Sequence, residues 1–392
     1  MAKSDGFLPV ANTSREGGVV GVVDLVAGAR PNFMKLAPVW RAMAAAGGPP
    51  VRIVHTGQHY DRAMNEVFFE ELGIPAPDVH LGVGSGSHGA QTARILERYE
   101  AHLLEARPAA TVVFGDVNST VACALAAVKL GVPVVHVEAG LRSFDRTMPE
   151  EINRILTDAV AELLLVSEPS GVENLRREGA PEANVRLVGN VMIDTLLREL
   201  PAARALGVPE RLGLEPGGYG LVTMHRPSNV DDPAVLGRNL RLIAELSERL
   251  PLVFPVHPRT RAAARRAGLE ALLAERGGLR PVAPLPYREN LALMASARLV
   301  ITDSGGMQEE TSVLGVPCLT MRENTERPVT LELGTSRLVG NDPDRVRAAF
   351  EEAVSGRWPE GRAIPLWDGR AGERVAEAVA ALVAGGEVPR RR

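Results

Sequence analysis

Short apolar runs rich in Val, Ile and Leu alternate with longer stretches whose apolar positions recur every three to four residues. In the first half the runs are 18–28 (GVVGVVDLVAG), 51–57, 111–116, 132–140, 162–168 and 185–190. Helical patterns fall between several of them, as at Phe33–Trp40, Asn118–Leu130 and Glu150–Ala161. The pattern restarts after a Gly- and Pro-rich approach at 212–220, with runs at 220–225, 252–257, 279–284, 298–306, 316–321 and 336–340. Helical stretches Pro233–Leu250 and Pro258–Arg276 lie between these. Strands that alternate with helices predict parallel sheets in an α/β fold. Two such sets predict two doubly wound domains, with ligands held at the carboxyl ends of the strands in a shared cleft. The Pro-flanked 200–217 region separates them, giving units 17–200 and 201–368. Residues 369–385 read as a final amphipathic helix, and 1–16 as a disordered tail.

Composition narrows the function. Hydrophobic types make up 45% of the 392 residues and charged types 23%, which suits a globular chain and not a disordered one. No apolar stretch approaches the roughly 18 residues of a membrane span, and the N-terminus carries no apolar signal core. The expectation is a cytoplasmic protein. A net charge of −4 and only 4% aromatics argue against a nucleic-acid partner. Cys123 and Cys318 sit in apolar runs and read as buried thiols. No CxxC or HExxH spacing appears, so no metal site is expected.

The chemistry lies just after the strands. Gly28-Ala29-Arg30-Pro31-Asn32 leads into a helix, where Arg30 and Lys35 can meet an anion near the helix start, or are simply surface cations. Asp116 follows the third run, as a helix cap or as a carboxylate aimed into the cleft. Glu138 ends the next run, where a carboxylate is expensive unless paired or used. Glu150 and Glu151 fall in the first turn of the helix after Pro149, and Glu150 shares a face with Arg154. Asp116, Glu138 and Glu150 give three acids on one cleft, which would push their pKa values apart and suit acid–base work. His225 and His257 end successive strands of the second half as phosphate contacts or acid–base groups. Thr302-Asp303-Ser304-Gly305-Gly306 runs from strand straight into helix, and its free N–H groups suit a diphosphate. Glu310, one turn on, can accept both hydroxyls of a ribose, and Arg327 adds a cation near a turn.

The segments GARPNFMKLAPV, TGQHYD, GDVNST, HVEAGLRS, MPEEINR, TMHRPSNV, HPRT, TDSGGMQEE and NTERP, in this order, resemble the non-hydrolysing UDP-N-acetylglucosamine 2-epimerases. The resemblance runs from about residue 20 to 385. It implies two Rossmann-like domains in a glycosyltransferase-B-like arrangement, with the last helix crossing back to the first domain. It implies a homodimer that needs no NAD and no metal, acting on UDP-N-acetylglucosamine through elimination and re-addition of UDP by way of a 2-acetamidoglucal. The family's acids map onto Asp116, Glu138 and Glu150, beside Arg154 and His225. Its nucleotide contacts map onto Arg30, Lys35, Ser304, Gly305, Gly306, Glu310 and Arg327. Which carboxylate serves which step stays open.

Some positions depart from the commoner pattern. Ala29 and Asn32 stand where many members have Thr and Glu. Asn290 stands where an aromatic often lies by the uracil. Gln58 and His59 match a site for a second, activating substrate molecule, whereas Asp61 and Ala90 replace a Gln and an Arg used there. The rival readings are a hydrolysing 2-epimerase, a glycosyltransferase of the same architecture and a non-catalytic binding protein.

Overall fold

A computed structural model describes residues 21–57 and 69–385. Its first sheet contains β1 (Val23–Ala27), β2 (Val51–His55), β3 (Val79–His80), β4 (Ala110–Phe114), β5 (Val134–Ala139), β6 (Leu163–Val166) and β7 (Val185–Leu187). Its second contains β8 (Gly220–Thr223), β9 (Leu252–Pro255), β10 (Leu279–Val282), β11 (Leu299–Thr302), β12 (Cys318–Thr320) and β13 (Ser336–Leu338). The spatial orders are β3-β2-β1-β4-β5-β6-β7 and β10-β9-β8-β11-β12-β13. All the strand pairs are parallel. Both sheets thus follow the doubly wound order, and each has its switch point where the order reverses, between β1 and β4 and between β8 and β11. The fold class is the one the pattern predicts.

The inner strands β1, β4, β5, β6, β9, β11 and β12 are buried along their length because helices cover both faces, as parallel pairing demands. Cys123 and Cys318 are free and buried. Among the described residues no helix is long and apolar enough to cross a membrane.

Two predicted helices end early. The helix from Pro258 stops at Arg266, because Gly268 takes φ +67, and a short 3-10 turn at Glu270–Leu273 follows. The helix from Pro233 stops at Ser247, and its start is capped by Asp232, whose carboxylate accepts the N–H groups of Ala234 and Val235. The first helix is longer than predicted, Arg30–Ala45, and runs through Pro38. Pro38 cannot donate to the Met34 carbonyl. That carbonyl instead accepts the Thr195 hydroxyl at 2.7 Å.

Thr195 belongs to the helix Val191–Ala205, which joins the two halves. Its Val191 and Met192 pack into the first core, and its Leu196 and Ala203 into the second. The final helix, Ala371–Val383, buries Val375, Ala378 and Val379 in the first core. Gly372 makes this approach possible, since a Cβ there would lie 2.7 Å from the Pro38 carbonyl oxygen. Asp194 caps the same helix by accepting the N–H groups of Ala371 (3.1 Å) and Gly372 (2.7 Å). The predicted tail, 1–16, lies outside the described residues.

Candidate active site

β5 is irregular at its carboxyl end. Its register against β6 shifts between Val137 and Ala139, and Glu138 takes φ +77. That left-handed conformation is costly for a residue with a Cβ, and bulges of this kind re-aim side chains. The Glu138 carboxylate meets Lys35 from the first helix. It also meets Arg327 from beyond the second sheet, with Oε1 2.7 Å from Nη2. Burial pushes this carboxyl up, but Lys35 and Arg327 together hold it below the usual carboxylate range. Gly115, at φ +64, leaves room for the ammonium: a Cβ there would lie 2.7 Å from Lys35 Nζ. Asn32 locks the Gly28–Asn32 turn to the end of β4, donating to the Phe114 carbonyl (2.7 Å) and accepting from the Ala29 N–H (3.2 Å).

Asp116 does not cap the helix Asn118–Lys129; the cap position belongs to Val117. Its carboxylate pairs with Arg154 at 2.5 Å and keeps about a quarter of its surface exposed. Arg154 is buried, and its other partner is Glu151 (2.7 Å), so the predicted Glu150–Arg154 pair is replaced by one three residues apart. Glu151 also accepts the N–H groups of Ser143 and Phe144 and so fixes the loop after β5. Glu150 stays half-buried, close enough to Arg226 to favour its charge. Behind Glu138, the His136 ring lies 2.6 Å from Asp158 Oδ1 and 2.8 Å from the Gly115 carbonyl. Burial raises the Asp158 carboxyl, and His136 with Arg142 brings it below the ordinary value. This buried layer ties the turn that carries Asp116 to the bulge that carries Glu138.

The second sheet faces these groups with its own strand ends. Asp303, fully buried, accepts the N–H groups of His225 (2.9 Å) and Arg226 (2.8 Å) and the Asn229 amide (3.0 Å). It also pairs with the His225 ring at 3.1 Å. His257 lies with its ring 5.0 Å from that of His225, and its Nδ1 accepts the Arg259 N–H. Burial and His225 push the His257 pKa down. Ser304 precedes the helix Gly305–Leu314 with no side-chain cap. A Cβ on Gly305 would lie 2.8 Å from Glu326 and 3.0 Å from Arg327, whereas Gly306 opens on free space.

Arg327 contacts three carboxylates: Glu138, Glu326 (2.5 Å) and Glu309. It is therefore a link between the halves and not an open cation. Glu310 is buried and accepts the Tyr287 hydroxyl at 2.9 Å; burial pushes its pKa up to about 7. Asn290 is half-buried on the helix that begins at Tyr287.

A family sequence model described as UDP-N-acetylglucosamine 2-epimerase matches residues 41–380. The chain belongs to this family. The UDP-N-acetylglucosamine 2-epimerase of Methanococcus maripaludis is 38% identical, over 91% of this chain and 98% of its own. The UDP-2,3-diacetamido-2,3-dideoxy-D-glucuronate 2-epimerase of Pseudomonas aeruginosa is 40% identical, over 91% of this chain and 99% of its own. The crystal structure of the Methanocaldococcus jannaschii UDP-GlcNAc 2-epimerase, in complex with UDP-GlcNAc and UDP, superposes with a TM-score of 0.85 at 39% identity. That match covers 91% of this chain and 99% of the other.

The structure brings Asp116, Glu138, Arg154 and Lys35 together at the carboxyl edge of the first sheet. It gathers His225, His257, Ser304, Gly305, Gly306 and Glu310 at that of the second. Arg30 opens the first helix, and its side chain lies outside the described part of the structure. So do Gln58, His59 and Asp61. Ala90 is exposed on the helix His88–Ala106. Three acids were not singled out from sequence, Asp158, Glu168 and Glu309, and Glu151 was read only as a first-turn acid and not as the partner of Arg154. Glu168 is fully buried at the end of β6, bonded to Ser170, with its pKa pushed up to about 7 by burial. Its place just past a strand was the signal that could have found it.

Proposed function

We propose that the chain inverts carbon 2 of UDP-N-acetylglucosamine reversibly, giving UDP-N-acetylmannosamine without hydrolysis. One observation carries this reading: in a chain of this family, Glu138 of the first sheet is bonded to Arg327 of the second, below an open glycine-rich helix start. Carboxylates that can move a proton thus face a site suited to a departing diphosphate. Removal of the carbon-2 proton and anti departure of UDP from carbon 1 leave a 2-acetamidoglucal. UDP then adds back to carbon 1 while a proton reaches the opposite face of carbon 2. Two acid–base groups on opposite sides are therefore needed, and Asp116, Glu138 and Glu150 supply them. Arg154 orients Asp116, and His225 stands beside the reacting sugar. The backbone N–H groups of Ser304, Gly305 and Gly306 take the diphosphate, and Glu310 the ribose. Arg30 and Lys35 balance the charge that develops on the leaving group, His257 offers it a hydrogen bond, and Arg327 acts on it through the Glu138 carboxylate that it holds. Elimination and re-addition move protons and a diphosphate but no hydride, so this route calls for no nicotinamide.

In this reading residues 17–200 carry the acids, 201–368 bind UDP and 369–385 tie the two, in a cytoplasmic homodimer. Incubation with UDP-N-acetylglucosamine alone, followed by ion-pair chromatography, tests it. The expected outcome is a second UDP-sugar with the total UDP-sugar unchanged. Free sugar with equimolar UDP would mark a hydrolysing enzyme. Turnover only on addition of an acceptor would mark a glycosyltransferase.

A further inference from the structure

β8, β11 and β12 are neighbours in the second sheet, and each delivers a group to the same carboxyl edge. β11 leads to the Ser304–Gly306 helix start. β8 leads to Arg226 and β12 to Arg322, so the two arginines flank that start from either side. Neither is fully spent by the fold. Arg322 is nearly buried and gives Nη2 to Glu326 (2.7 Å) and more loosely to Asn324 (3.4 Å). Its Nη1 is buried with no hydrogen-bond partner among the described residues. Glu326 is already shared with Arg327, so its charge is divided between two guanidinium groups. Arg226 is half-buried, and its guanidinium makes no hydrogen bond among the described residues. Burial and then Arg322 push its pKa down, while Glu326, Glu150 and Asp303 favour its charge. Two neighbouring guanidinium groups, one with a buried N–H left unmet, are costly to hold unless an anion meets both. Planar N–H forks suit oxyanions.

We infer that Arg226 and Arg322 form an oxyanion-binding subsite beside the helix start, taking a charged group of the nucleotide sugar. The inference rests on the nucleotide-sugar reading above. The chemistry is shared by two sources, the diphosphate and a carboxylate at carbon 6 of the sugar. A relative 40% identical is named for a glucuronate substrate, which makes the second source worth a direct probe.

The test is calorimetric titration of the full chain with UDP, with UDP-N-acetylglucosamine and with its 6-uronate. The variants are Arg226→Gln and Arg322→Lys, the second keeping the charge so that the Glu326 pair survives, and thermal melts check that each is folded. If the diphosphate is the occupant, either variant weakens UDP about tenfold or more, as expected for lost charge-assisted hydrogen bonds. If the sugar carboxylate is the occupant, UDP affinity stays within twofold and the affinity for the uronate relative to UDP-N-acetylglucosamine falls about tenfold. Both outcomes support the subsite. Folded variants that bind all three ligands like wild type overturn it. A wild-type chain that binds no UDP overturns the nucleotide-sugar reading itself, and the subsite with it.

Discussion

Glu138 and Asp116 are both acids at strand ends, yet their surroundings give them different sensitivities. Glu138 is buried between Lys35 and Arg327, whereas Asp116 is partly open and meets one arginine. Glu138→Gln removes the charge that two buried cations share, so it is expected to lower the unfolding free energy by about 3–5 kcal/mol and kcat by at least about a hundredfold. Asp116→Asn is expected to lower kcat similarly while the melting temperature falls much less. Equal thermal losses in the two variants would contradict the assigned surroundings. Glu310 gives a pH signature. Its carboxyl holds its proton to about pH 7 when folded, against 4.5 ordinarily. Between these values the unfolded chain binds fewer protons, so stability falls as pH rises, by an amount on the order of 3 kcal/mol. Glu168 adds a similar fall over the same window. Asp194, pushed up to about 6 by burial, adds a smaller fall, so Glu310→Gln should reduce but not abolish the loss of stability between pH 4.5 and 7; an unchanged curve would refute the account. At this scale the sequence revealed the acids but not their partners. Arg327 lies 189 positions from Glu138, and no local pattern predicts that meeting. Nor does any pattern announce the left-handed Glu138, because bulges depend on the neighbouring strand.

Elements were the most legible level, because parallel strands buried on both faces leave near-continuous apolar runs. Each of the twelve predicted runs coincides with a strand to within a residue or a few, whereas β3 went unrecognised because it is two residues long. Helix ends were less legible. Gly268 could end a helix or be tolerated inside one, and only its positive φ decides. Where the final helix crosses the first, Gly372 lies against the Pro38 carbonyl with no room for a Cβ. Gly372→Ala pushes a methyl group into that contact and should cost about 1–3 kcal/mol, read as a lowered urea midpoint at constant slope. Gly306→Ala meets no neighbour and should leave stability nearly unchanged, apart from its place at the proposed diphosphate site. A harmless Gly372→Ala would mean that the two helices do not pack this closely.

At the level of the molecule, two switch points face each other and a few bonds hold them in register. Arg327 spans the gap, and Arg288 adds a second link, reaching the Glu71 carbonyl (2.8 Å). Trp367 donates to the Ser167 carbonyl (3.0 Å) and makes a third. Arg327→Met leaves Glu138, Glu309 and Glu326 without their shared cation, and their repulsion favours separation of the sheets. Small-angle scattering should then give a larger radius of gyration than for wild type; an unchanged radius would mean that this link does not hold the halves together. The pairing of two doubly wound units was legible from the restart of the strand pattern, but the closeness of their edges was not, since it rests on long-range ion pairs. The central claim is that these edges together move a proton at carbon 2 of a UDP-sugar. Proton NMR of the purified chain with UDP-N-acetylglucosamine in heavy water, with nothing else added, tests it most directly. The account predicts UDP-N-acetylmannosamine carrying deuterium at carbon 2, with the same label appearing in the remaining UDP-N-acetylglucosamine. An epimerised product that keeps its original hydrogen, or no change in either sugar, would contradict it.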